Sequence, residues 1–361
     1  MNCPKCNFEI SEGTKFCPEC GANLSENAVQ NTETPINKKE SSSSTETPKR
    51  KKKAIKWSLI ISAIVIFAGL LSYFVAYPLI AQATGDYSVI IEMYNITEYK
   101  IPRGTKEIKA GAFGNATTPT SIIIPNSVTH IGDEAFASFK ELDRISFGSG
   151  VTTIGEKAFY ECESLKTIEF PDSLTTIGDN AFEKCIDLEE VTFNDGLESI
   201  GKYAFYQCER LKRVHIQDGI TEIGEFAFSE CKELTYVKIG KGLKTISNGT
   251  FSVCKKLSSV DLPDTLKTIE WGAFSSCDIK ELKIPNGVTH IGDDAFSSNK
   301  KLLTVFLPKS VGMIGQGAFR NCELTTIKYG GTQSDWRKIT ISPISNEDIL
   351  FFAYIDYTYD Y

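Results

Sequence analysis

Ten phenylalanines set the frame of this chain. Phe113, Phe136, Phe159, Phe182, Phe205, Phe228, Phe251 and Phe274 stand 23 residues apart; Phe296 follows after 22 and Phe319 after 23 more. Take the unit that starts at Phe159. Its apolar positions are Phe159, Cys162, Leu165, Ile168, Phe170, Leu174 and Ile177, with Pro171 and Gly178 as punctuation and Ala181 before the next Phe. The unit from Phe182 repeats that order through Cys185, Leu188, Val191, Phe193, Leu197, Ile200, Gly201 and Ala204. A fixed period in this range predicts a solenoid, in which no unit buries its apolar side alone and stacked neighbours share one core.

Within a unit, Lys166-Thr167-Ile168-Glu169-Phe170 alternates with period two and reads as a strand. Thr175-Thr176-Ile177 is a second, shorter extended piece. From Gly178-Asp179 the chain is expected to enter a short helical turn through Ala181, Phe182 and Cys185, with Asp179 as its cap. Parallel strands, one per unit, are expected about 4.8 Å apart. The expected fold class is therefore a solenoid of about ten 23-residue units, each a parallel short strand plus a short helical turn.

The units resemble BspA-type leucine-rich repeats, in stretches such as Ile154-Gly155-Glu156-Lys157-Ala158-Phe159 and Ser164-Leu165-Lys166-Thr167-Ile168. The resemblance covers roughly residues 87–340. It departs from the common leucine-rich pattern, because no fixed Asn or Cys stands on the loop after the strand. It implies a bacterial surface protein, since members are typically that and some are adhesins. Residues 87–108 read as a degenerate first unit, so the solenoid domain runs over 81–329. The tail, 330–361, leaves the period at Gly330-Gly331 and resembles the terminal segment of such arrays. Trp336, Ile339, Ile341 and Phe351-Phe352 are expected to cover the last open core face.

A second feature divides the chain in space. Trp57 to Ile80 holds 24 residues and no charge, long enough at about 1.5 Å per residue to cross a bilayer as one transmembrane helix. Lys49-Arg50-Lys51-Lys52-Lys53 and Lys56 precede it, and Asp86 follows, which predicts a cytoplasmic N-terminus. The same basic run, Lys49–Lys56, suits anionic lipid. The alternative is a cleaved signal peptide, with Ala81-Gln82-Ala83 as its site. Against it stand the length of the run and the 56 residues before it. The repeats would then face the outside of the plasma membrane.

Residues 1–24 carry Cys3-Pro-Lys-Cys6 and Cys17-Pro-Glu-Cys20. Two CxxC turns bring four thiolates into a tetrahedron around Zn2+. Phe8, Ile10, Phe16 and Leu24 are too few to fold this piece without metal, so binding energy is folding energy. Redox CxxC pairs or disulfides are the alternatives, disfavoured by the cytoplasmic address. The stretch resembles the small zinc ribbons at the N-termini of many bacterial membrane proteins. With four protein ligands no coordination position stays open, so a structural or protein-contact role is expected. Residues 25–56 form a polar linker, Val29 and Ile36 being its only large aliphatics up to Pro48.

The charge is divided as well. The whole chain has net charge −7. Residues 1–85 carry ten Lys/Arg against seven Asp/Glu, a balance of +3, and residues 86–361 carry 29 against 39, a balance of −10. An acidic solenoid makes nucleic acid an unexpected partner. Cys162, Cys185, Cys208, Cys231, Cys254, Cys277 and Cys322 each sit three after a repeat Phe, and Phe139 and Asn299 share their column. The column reads as a packing slot of free thiols rather than disulfides or a metal site, since helical turns would stand roughly 8–10 Å apart.

No nucleophile motif and no paired-carboxylate constellation stands outside the repeat pattern, so an enzyme is not expected. The expected function is a membrane-anchored cell-surface scaffold that binds a protein or glycan. The alternative is a transmembrane sensor or envelope assembly factor whose zinc ribbon docks a cytoplasmic protein. Outward strand positions fall eight and ten residues after each Phe in regular units, and at Glu281 and Lys283 in the shortened one. Arg213, His215, Tyr236 and Lys238 form a basic, aromatic cluster there, the candidate centre of an acidic-ligand site, against the alternative of a solvated face with chance clustering.

Overall fold

The computed structural model describes residues 97–114, 118–346 and 353–359. The Cys3/Cys6/Cys17/Cys20 site, the linker, the Trp57–Ile80 segment and Phe351-Phe352 lie outside the described residues. Among the described residues, no helix is long and apolar enough to cross a membrane.

The described chain winds as a parallel solenoid of about ten turns, and each turn contributes two strands. A three-residue strand such as Thr167–Glu169 exposes its first and third residues and buries the second. A two-residue strand such as Thr176–Ile177 buries its Ile. Every pairing is parallel and in register with the unit before and after; Ile168 pairs with Val191, and Ile154 with Ile177. The period-two alternation of the sequence thus becomes an inward and an outward row.

The core is a column of rings. From Phe113 to Phe319 each repeat Phe stacks on the next, with centroids 4.5–5.5 Å apart. All ten are buried. The ring spacing is close to the strand spacing, so one geometry serves both backbone and side chain. Phe147, Phe170 and Phe193 make a shorter second column beside it.

The expected helical turn is absent. Between the two-strand side and the next long strand the backbone runs through consecutive tight turns. In the Phe159 unit, Ala158 N–H donates to Gly155 O, and Cys162 N–H to Phe159 O. Lys157 and Glu161, third in those turns, have φ of 52° and 57°, as a type II turn requires. Alternate N–H groups point along the solenoid axis instead: Lys157, Phe159 and Glu161 donate to Asp179, Ala181 and Glu183 of the next unit. A helix would spend those donors on its own carbonyls and would widen the step between units. Gly178 shows how tight that step is, because a Cβ there would lie 2.7 Å from the Gly155 carbonyl carbon. The only helix among the described residues is Gln333–Trp336, capped by Thr332 and Asp335.

The seven solenoid cysteines are free and buried. Their separation does not come from helix axes. Each thiol turns to a backbone carbonyl instead: Cys185 Sγ donates to Phe159 O at 3.4 Å, and Cys208 Sγ to Phe182 O at 3.3 Å. Burial pushes these thiols well above their ordinary range.

Asn299 occupies the same column for a different reason. The Phe274 unit is one residue short between Cys277 and Ile279. The side chain of Asn299 closes the resulting gap. Its Oδ1 accepts from Ile279 N–H at 3.1 Å, and its Nδ2 donates to Phe274 O and Phe296 O at 2.8 Å each. A thiol has no acceptor and donor set to match.

At the C-terminal end, Trp336, Ile339 and Ile341 pack on the core, joined by Ala353, Ile355 and Tyr357. Strand Tyr354–Asp356 adds to Thr326–Tyr329 in parallel, so the tail continues the sheet as well as covering it. At the other end, Glu98–Lys100 pairs with Ser121–Ile123, as a degenerate first unit should.

Candidate ligand-binding site

Strands Arg213–His215, Tyr236–Lys238 and Ser259–Asp261 form one three-stranded sheet. The register places Arg213 beside Tyr236, and His215 beside Lys238. The four candidate residues are therefore adjacent. Arg213, His215 and Lys238 are exposed, and Tyr236 is half-buried. The Arg213 guanidinium carbon lies 6.0 Å from the centre of the Tyr236 ring, a cation–π contact at the outer limit of its range.

One neighbour was not legible as part of this cluster. Asp261 pairs with Lys238 in the next register step, and its carboxylate accepts the hydroxyl hydrogen bond of Tyr236. That bond, with partial burial second, raises the Tyr236 hydroxyl above its ordinary range. The patch is thus a basic cluster closed on one side by an acid. Asp261 sits at an outward position that sequence spacing had assigned, but pairing across strands decides which outward residues meet.

A groove of about 450 Å³ adjoins it, lined by Val260, Asp261, Leu262, Asp264, Lys283, Pro285 and Asn286. The three-stranded sheet ends at Ser259–Asp261, and the next begins at Glu281–Lys283. This interruption faces the shortened unit. Val260 and Leu262 are only partly buried there, beside the groove.

Not every outward position is free. Phe306 meets the Tyr359 ring at 5.1 Å, and Lys328 Nζ lies 4.9 Å from the Phe306 centroid. There the tail draws the outward row into packing. Elsewhere the solenoid surface is laced by ion pairs one unit apart, such as Lys212–Glu189, Lys232–Glu209 and Lys256–Glu233. Exposed pairs of this kind contribute little each. His130 and His290 share a column on the two-residue strands, away from the cluster. Among the described residues, no group of three His, Cys, Asp or Glu is placed to hold a metal ion.

The family model of the BspA type leucine rich repeat region matches residues 90–212, 129–255, 175–302 and 221–342. A zinc-ribbon domain model matches residues 2–24, which contain all four CxxC cysteines. A comparison with curated proteins returns no match. Among solved structures, the chain is similar to a leucine-rich repeat protein from Bacteroides ovatus, at 26% identity and a TM-score of 0.51, over 72% of this chain and 83% of that one. It is also similar to a leucine rich cell surface protein from Faecalibacterium prausnitzii, at 24% identity and a TM-score of 0.33, over 68% and 91%. A third is the pneumococcal vaccine antigen PcpA, at 20% identity and a TM-score of 0.38, over 72% and 88%.

Proposed function

The chain belongs to the BspA type leucine rich repeat family, and from that premise we propose that it is a binding scaffold rather than an enzyme, held at the bacterial cell surface by its Trp57–Ile80 segment. The observation that carries this reading is the outward strand row. From Arg144 to Lys283 its residues are exposed, apart from half-buried Tyr236, core packing does not dictate them, and at Arg213, His215, Tyr236 and Lys238 they gather into one patch beside a groove. Arg and Tyr are residue types enriched at binding hot spots. On a solenoid half with balance −10, a local cluster of cations favours an acidic protein or glycan.

Immobilised heparin serves as an acidic polymer for the test. The full-length chain should be retained at low salt and released as salt rises. Arg213→Ala combined with Tyr236→Ala should elute at clearly lower salt. Equal elution of wild type and double variant would remove this patch from the proposal.

The zinc-ribbon match favours a second reading. Cys3, Cys6, Cys17 and Cys20 would hold one Zn2+, and the ribbon would dock a cytoplasmic protein, making the chain a sensor or assembly factor. Deleting residues 1–48 separates the two. Unchanged surface binding and unchanged cell behaviour would leave the scaffold reading alone.

A further inference from the structure

A repeat protein carries its own controls, because each column shows what packing requires. On the two-residue strands the outward column is Thr or Ser at 153, 176, 199, 245, 268 and 340, Glu107 and Glu222, or His130 and His290; only at Met313 is it apolar. After most of these strands a Gly is followed by a polar or charged residue, as at Gly155-Glu156, Gly178-Asp179 and Gly224-Glu225, and after Ile246 the pair is Ser247-Asn248. At one unit that pair is Glu270-Trp271. The two apolar departures, Trp271 and Met313, meet in space: with Asn248, Glu270, His290 and Asp293 they line one groove of about 390 Å³.

Packing does not account for them. Trp271 is 49% exposed and Met313 is 45% exposed, whereas the core residues around them are closed. The indole packs against Phe226. Its centroid lies 6.1 Å from that of Phe226 at 67°, edge to face. Phe226 in turn lies over Gly249, where a Cβ would stand 2.3 Å from its ring, and stacks on Tyr203 at 5.1 Å. Phe226 and Tyr203 hold φ of 56° and 55°, a backbone that bulky side chains rarely adopt. The ring of His290 is fixed as well, with Nδ1 2.7 Å from Thr289 Oγ1. That hydroxyl also lies 3.3 Å from Lys267 O.

We infer that this groove is a saccharide subsite for a neutral glycan, stacked on Trp271 and separate from the Arg213 cluster. A sugar ring has an apolar C–H face and a rim of hydroxyls. The indole and the Met313 side chain offer apolar surface, and the amide, imidazole and carboxylates between them offer partners for hydroxyls. No Lys or Arg lines the groove, and two carboxylates do. A phosphate, sulfate or sialic acid would meet like charge there, which makes the expected glycan neutral. The volume lies at the lower end of small-molecule sites, about 300–1,000 Å³.

The test uses the full-length chain in a detergent without a sugar head group. The probes are triacetylchitotriose, cellotriose and maltotriose, with 3′-sialyllactose as the acidic control, read by calorimetry. At least one neutral probe should saturate below about 10 mM, a weak single-subsite affinity. Trp271→Ala should weaken it at least tenfold, Trp271→Phe should keep most of it, and both should melt like wild type. Arg213→Ala with Tyr236→Ala should leave it unchanged, so failure here is distinguishable from failure of the heparin test. The inference is overturned if no neutral probe saturates, if Trp271→Ala binds as well as wild type, or if sialyllactose binds equally. Concentration-dependent self-association lost in Trp271→Ala would also overturn it, by making the groove an interface between copies.

Discussion

The Tyr236 hydroxyl donates its hydrogen bond to the Asp261 carboxylate across one strand step. Asp261 therefore offsets part of the positive charge of the candidate patch. Asp261→Asn should release the Tyr236 hydroxyl toward its ordinary pKa and raise affinity for heparin, because a repelling charge is gone. Arg213→Ala with Tyr236→Ala should lower that affinity severalfold while the thermal midpoint moves little, since neither side chain belongs to the core. A large fall in the midpoint would show that the pair supports the fold instead.

The free thiols supply a pH prediction. Burial raises the pKa of Cys162, Cys185, Cys208, Cys231, Cys254 and Cys277. The folded chain keeps those protons at pH values where the unfolded chain loses them. The stabilisation is thus complete below the unfolded thiol pKa, about 8.5, and declines above it by about 1.4 kcal/mol per pH unit for each thiol. Denaturant midpoints should hold near neutrality and fall steeply above about pH 9. Native protein should react slowly with a thiol reagent, and denatured non-reduced protein should release all seven solenoid thiols. A flat midpoint through pH 10 would count against the buried ladder.

Asn299 offers a test in which restoring the repeat pattern does harm. Asn299→Cys would match the column but would strand Ile279 N–H, which now donates to Asn299 Oδ1. An unsatisfied buried donor costs about 1–3 kcal/mol. Equilibrium unfolding should show that loss. A variant as stable as wild type would mean the shortened loop rearranges to satisfy the amide.

The ribbon prediction concerns metal content. Purified full-length chain should carry one zinc, and Cys17→Ser should lose it. Elemental analysis after dialysis decides the matter, and undiminished zinc in the variant would refute the four-thiolate site.

Topology is checked on intact cells. A membrane-impermeant protease should destroy the repeats and spare the ribbon if the basic run at Lys49–Lys56 stays inside. Protected repeats would reverse the proposed orientation. A mature chain beginning near Thr84 would replace the anchor by a cleaved signal.

The sequence by itself determined the repeat, its period and the identity of the core. Phe159, Leu165, Ile168 and Ile177 are buried where the pattern put them, because a fixed period with period-two strands leaves one way to share a core between neighbours. Outward residues such as Arg213 and Lys238 were readable for the same reason. Only the tertiary structure decided how the segment around Phe182 folds. Its residues suit a helical turn locally, but the narrow step between units favours turns that send every second N–H to the next coil. Tertiary structure also decided that Asp261 joins the cluster, that Asn299 repairs a missing residue, and that Trp271, His290 and Met313 share a groove. Each of these depends on contacts across units, about 23 residues apart, where distance along the chain carries no information about side-chain direction.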